Sequence, residues 1–101
     1  MTRREKLQQM LQESPDDAFL WYGLAMEDQS SESWNSALSS FDRALTVDPD
    51  FVAAYFQMGQ ILARLDRTEE ARAALNAGIN VGRRVGDAHA VAEMAEFIHS
   101  L

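Results

Sequence analysis

Residues 18–51 read AFLWYGLAMEDQSSESWNSALSSFDRALTVDPDF, and residues 52–85 read VAAYFQMGQILARLDRTEEARAALNAGINVGRRV. The two blocks superimpose at an offset of 34 residues. Trp21 falls on Tyr55, Leu24 on Met58 and Ala25 on Gly59; Ala37 falls on Ala71, Phe41 on Leu75 and Ala44 on Gly78. Pro15 falls on Pro49 at the same offset. A period held without a gap across these positions marks a stacked structural repeat, and stacked repeats serve more often as binding surfaces than as catalysts.

Reading outward from the blocks, every segment carries helical rather than strand periodicity. A first helix is expected from about Thr2 to Glu13, with Leu7, Met10 and Leu11 on one face. Ser14-Pro15-Asp16 ends it, since proline suits a helix's first turn and not its interior. A second helix is expected over about Asp17–Gln29, stopping in Asp28-Gln29-Ser30-Ser31. The third, about Ser33–Val47, places Trp34, Ala37, Leu38, Phe41, Ala44 and Leu45 at i, i+3, i+4, i+7 spacing. Asp48-Pro49-Asp50 closes it.

The fourth helix is expected over about Phe51–Leu65, followed by a turn at Asp66-Arg67-Thr68, with Thr68 as N-cap of the fifth. Arg83 stands where a second Pro49 would fall, so the fifth helix can run to about Val85 and end at Gly86. Asp87 then caps a last helix, about Ala88–Ser100. Loops this short force successive helices to lie antiparallel.

Composition narrows the functional classes. The chain has 101 residues, 47% of them hydrophobic and 25% charged, which is a globular balance for a single domain. It has no cysteine, which excludes disulfides, thiolate metal sites and cysteine nucleophiles. Glu5, Gln8 and Gln9 interrupt the region where a signal peptide needs an apolar core, and no apolar run approaches the ~20 residues of a membrane span. The expected location is cytoplasmic.

Net charge is −7, so the chain repels phosphate backbones and nucleic acid is not an expected partner. The acids concentrate at Glu13, Asp16, Asp17, Glu27, Asp28, Glu32, Asp42, Asp48 and Asp50, with Arg43 the lone base among them. They read first as a solvated face and helix N-termini, with a patch for a basic partner as the alternative.

The unit resembles the tetratricopeptide repeat. That family's helical hairpin carries a large aromatic, a Leu-Gly-like pair, an Ala…Phe…Ala series and a closing proline. The first repeat, 18–51, supplies Trp21, Leu24-Ala25, Trp34, Ala37, Phe41, Ala44 and Pro49. The second, 52–85, supplies Tyr55, Met58-Gly59, Leu62, Ala71, Leu75 and Gly78. Residues 1–14 resemble the second helix of a preceding repeat whose first helix is absent, and 87–101 resemble the capping helix of such arrays. Asp28 departs from the pattern where Leu62 keeps it, as do Thr68 in place of Trp34 and Arg83 in place of Pro49. The resemblance implies an all-α, right-handed superhelical array of antiparallel hairpins, an α-solenoid. It also implies a non-catalytic module that binds a peptide or helix of a partner protein.

Chemistry-bearing residues are sparse. His89 and His99 share the last helix with Glu93 and Glu96 but lack the i, i+4 histidine pairing of a helical zinc site, so no metal or cofactor is expected. Glu69 and Glu70 suit charge support for Arg72. Gly78, Gly82 and Gly86 recur every four residues, a spacing that permits close helix packing. No nucleophile–base pattern is present, and the chain is not expected to be an enzyme.

The second helix is apolar on two sides. Trp21, Leu24 and Ala25 face the neighbouring hairpin. Phe19, Tyr22 and Met26 form a second stripe about 130° away at ~100° per residue. In the tetratricopeptide family the first helix of each hairpin lines a concave groove, and this stripe has the phase that points into it. Phe56, Gln60 and Arg64 share that phase on the fourth helix, together with Ala53 and Ala63. The alternatives for the stripe are internal packing, a ligand groove, or a homodimer contact, the last giving a self-assembling structural protein that uses the groove or its open N-terminal edge. Members that clamp acidic chaperone tails present Lys, Asn and Arg there. Here Arg64 is the lone base, so that activity is not expected.

Overall fold

The computed structural model describes residues 1–101 and contains six helices and no strand. They are α1 (Arg3–Glu13), α2 (Ala18–Ser30), α3 (Trp34–Val47), α4 (Val52–Arg64), α5 (Thr68–Val85) and α6 (Ala88–His99). The chain forms two compact units, Met1–Pro49 with α1–α3 and Asp50–Leu101 with α4–α6. The hairpins α2–α3 and α4–α5 are the most heavily packed helix pairs, one in each unit.

Three of the six helices, α1, α2 and α6, start on a side-chain cap. Thr2 and Glu5 form a reciprocal capping box: the Glu5 N–H donates to Thr2 Oγ1 at 3.1 Å and the Thr2 N–H to Glu5 Oε1 at 3.0 Å. Asp17 Oδ1 accepts from the N–H groups of Phe19 and Leu20, and Asp87 Oδ1 from that of Ala90. Thr68 does not cap α5. It is the first helical residue, and Arg67 occupies the N-cap without a side-chain bond.

The reason lies in the preceding turn. Asp66 adopts a left-handed φ of 60°, the Arg67 N–H donates to Leu62 O at 2.9 Å and the Asp66 N–H to Ala63 O at 3.1 Å. This double bond pattern is a Schellman ending, and it delivers the chain into the next helix one residue earlier than the threonine. The same turn occurs 34 positions upstream, where Glu32 has φ 57°, the Ser33 N–H donates to Asp28 O and the Glu32 N–H to Gln29 O. A third closes α5, with Gly86 at φ 80° and the Asp87 N–H bonded to Gly82 O. Only here does glycine fill the left-handed position, at no steric cost.

Asp66→Gly is therefore expected to stabilise the protein by about 0.5–1 kcal/mol, less strain outweighing the extra freedom of the unfolded chain. An unchanged or lower melting temperature would show that Asp66 sits in this conformation without strain.

The small residues of the repeat are the buried crossing points. Ala25, Ala37, Ala44 and Ala71 are fully buried. Phe41 is fully buried in the first unit, and Leu75 holds the matching buried position in the second. Gly59 and Gly78 are closer still. A Cβ at Gly59 would lie 2.5 Å from Leu75 Cδ2, and one at Gly78 would lie 2.6 Å from both Tyr55 Cβ and Met94 Sδ. Gly78 thus lets α4 and α6 approach α5, and Gly82, facing Val91, continues the contact with α6. Val52, Leu75, Ile79 and Met94 form the buried centre of that unit. On α1, Leu7 and Leu11 are buried as expected, but Met10 is 50% exposed and faces outward.

Candidate functional site

The stripe on α2 divides in the structure. Phe19, in the first turn, is 76% exposed. Tyr22 is half-buried, its ring edge-on to Phe41 of α3 at a centroid distance of 5.5 Å. Met26 is also half-buried. On α4, Phe56 and Gln60 are half-buried and Arg64 is exposed in the last turn. Phe56 meets Phe97 of α6 edge-on at 5.9 Å. Tyr22 and Phe56 are therefore oriented by aromatic neighbours within their own units, and Phe19 keeps most of its surface exposed. Phe56 and Phe97 also line an open pocket of about 300 Å³ with Glu93, Glu96 and Ser100.

The opposite stripe of α2 does more than packing. Leu24 and Ala25 are buried, but the Trp21 indole N–H donates to Pro15 O at 2.8 Å and pins the turn before α2. The Arg43 guanidinium lies over the Trp21 ring, 4.9 Å from its centroid.

Asp28 carries the largest departure from sequence expectation. It is 2% exposed, and Arg4 Nε of α1 donates to its Oδ1 at 2.7 Å. Beside it, Arg3 Nε pairs with Glu27 Oε1 at 2.6 Å. No spacing rule links residues 24 positions apart, so this pairing is invisible in the sequence. Its only trace there is an acid at a position where the second repeat has Leu62.

The remaining charges are local supports. Arg72 pairs with Glu69 at 2.7 Å as expected, but Glu70 turns the other way to Arg67, whose Nη2 lies 2.6 Å from its Oε2. The hydrogen bond from Arg67 holds the Glu70 carboxyl below its ordinary range, as the Thr2 backbone N–H does for Glu5. His89 Nε2 and Glu93 Oε1 are 3.0 Å apart on the surface of α6.

Arg84, near the end of α5, donates from Nη2 to Asp50 Oδ1 at 2.5 Å and lowers the Asp50 carboxyl below its ordinary 3.8. A depressed carboxylate stabilises the folded state above its unfolded value and loses that contribution as pH falls through the folded one. Arg84→Ala is expected to return Asp50 to the ordinary carboxylate range, shifting its midpoint upward in an NMR titration. A midpoint equal to wild type would mean that the pair does not form in solution.

A tetratricopeptide repeat family profile matches residues 30–95. The chain belongs to the tetratricopeptide repeat family. No curated protein matches the sequence. Among solved structures, a tetratricopeptide repeat domain protein from Salinibacter ruber is 32% identical with a TM-score of 0.77, covering 83% of this chain and 93% of its own. A Bordetella parapertussis protein solved in solution is 26% identical with a TM-score of 0.85, covering 99% of this chain and 87% of its own. The TPR2B domain of yeast Sti1, in complex with pHsp70, shares the fold at a TM-score of 0.89 and 20% identity, covering 95% of this chain and 77% of its own. The tetratricopeptide chain described here therefore has the all-α helical-repeat fold of the solenoid class. No helix in it is long and apolar enough to cross a membrane.

Proposed function

We propose that this tetratricopeptide repeat chain is a non-catalytic protein-interaction module that takes an apolar peptide or helix of a partner protein. In the first unit the contacts would come from Phe19, Tyr22 and Met26 of α2; in the second unit Phe56, Gln60 and Arg64 of α4 are proposed as contact residues in their own right. The observation that carries the reading is Phe19. A phenylalanine 76% exposed on the same helix face as two half-buried apolar neighbours gains more by covering its ring with a partner than by remaining in water.

The family supports binding as the class of function. The yeast Sti1 domains of like fold are seen in complexes with pHsp70 and pHSP90. The likeness to those domains is one of fold. The face of α2 offered here is aromatic and apolar, so the ligand chemistry is proposed to be apolar contact rather than the clamping of an acidic tail.

Phe19→Ser is expected to leave the melting temperature within about 0.5 kcal/mol of wild type, as an exposed substitution does. It should abolish capture of a protein partner by a full chain that remains monomeric by light scattering. A wild-type dimer that Phe19→Ser converts to monomer would instead assign the face to self-assembly. Wild-type melting, mass and partner capture in this variant would remove α2 from the binding surface.

A further inference from the structure

We propose that the side of α2 turned away from Phe19 is a helix-binding seat selective for a basic amphipathic helix. In this proposal α1 is its resident occupant, displaceable by a partner helix in which an arginine is followed at the third and seventh positions by leucine.

The occupant shows the chemistry the seat accepts. Arg4, Leu7 and Leu11 lie on one face of α1 at i, i+3, i+7 spacing, and Leu7 and Leu11 are the two residues of α1 that are buried. Leu7 lies over Gly23 of α2: a Cβ at Gly23 would stand 3.4 Å from Leu7 Cδ2, at contact distance, so the leucine rests directly on this face of the helix. Leu11 shares with Leu24 and Trp21 the lining of an apolar hollow of about 320 Å³. Arg4 and Arg3 complete the fit on Asp28 and Glu27. At ~100° per residue, Gly23, Leu24, Glu27 and Asp28 centre more than a third of a turn from the Phe19, Tyr22 and Met26 face, so the seat is independent of the surface proposed above.

Two features argue for selection over mere stability. An acid is not needed at this point of the repeat, because Leu62 fills the matching position of the second unit and is itself buried. A buried ion pair generally adds no more stability than apolar side chains of similar size, whereas an uncompensated buried carboxylate is strongly disfavoured. Asp28 therefore penalises any occupant that lacks a cation opposite it, which is how an interface discriminates among ligands.

Displacement is accessible because α1 packs almost wholly on α2, through two leucines and two ion pairs. An 11-residue helix is marginal on its own in water. The turn that follows is held separately by the Trp21 bond to Pro15, so α1 can swing from Ser14 without disturbing α2. In the intact chain the tethered helix competes at an effective concentration of order millimolar, and a partner helix has to exceed that.

The test uses the full chain and a fluorescein-labelled peptide of residues 1–14, followed by anisotropy. The double variant Leu7→Ser, Leu11→Ser weakens the resident helix. It is expected to bind the peptide at least tenfold more tightly than wild type does. Adding Asp28→Asn, or changing the peptide by Arg4→Glu, should each weaken that binding at least tenfold. A folded double variant that binds no peptide, or binds both peptides alike, overturns the proposal. Hydrogen exchange on wild type provides a test that does not depend on the variant folding. The proposal requires the α1 amides between Leu7 and Glu13 to exchange faster than those of α2 and α3. Exchange of α1 only with global unfolding would mean a seat that is permanently closed.

Discussion

Replacing Gly59 with leucine is expected to destabilise the protein by about 3 kcal/mol or more, at the upper end of what overpacking does. The first atom of the new side chain, before any branch, would already stand 2.6 Å from Leu75 Cγ. Cγ is a branch point near the backbone, so Leu75 cannot rotate aside as the tip of a long side chain would. Leu75 is fully buried, so the remaining response is to push α4 and α5 apart and loosen everything they hold. Gly59→Ala is expected to show the same effect in milder form, with Leu75→Ala in that background costing less than it does alone. Such positive coupling in a double-mutant cycle is the signature of two residues competing for one space. Additive effects, or an unchanged denaturant midpoint for Gly59→Leu, would place Gly59 away from the crossing.

Phe41→Ala is the second large effect, expected at about 3–5 kcal/mol from lost burial and the cavity left behind. Phe41 is fully buried and packs against the Tyr22 ring in an edge-type arrangement. Its loss should therefore also change the Tyr22 environment, read as a loss of ring-current shift in the tyrosine signals. Phe41→Leu, which installs the residue used at the same place in the second unit, is expected to lose less than Phe41→Ala. A stability loss below about 1 kcal/mol for Phe41→Ala, far short of the cavity series, would contradict the buried position of the ring.

The second effect bears on function as well as stability. Tyr22 belongs both to the packing around Phe41 and to the face that offers Phe19. A substitution at Tyr22 mixes the two roles, whereas one at the exposed Phe19 bears mainly on the face. The aromatic partners of Tyr22 and Phe56 lie within their own units, so a ligand would meet rings that are already oriented and lose less rotamer freedom on binding.

The sequence by itself determined what depends on local chemistry and periodicity. The repeat period, the helix order, the extension of α5 past the position of Pro49 and its end at Gly86 can all be read there. The burial of Ala25, Ala37, Ala44 and Ala71 follows from small residues recurring at both copies of a helix crossing. The Thr2-to-Glu5 capping box is a local pattern too, although periodicity alone counts Thr2 into the first helix.

The tertiary structure decided the rest, because it depends on residues distant in sequence meeting in space. Arg67 rather than Thr68 precedes α5 because the left-handed Asp66 sets the exit of α4. Met10 points outward because α1 packs mainly on α2, and two leucines fill that contact. Asp28 looks like a defect in an apolar pattern until Arg4 is placed opposite it. Periodicity assigns a residue to a side of its helix, but the charge and shape of what covers that side come from another part of the chain.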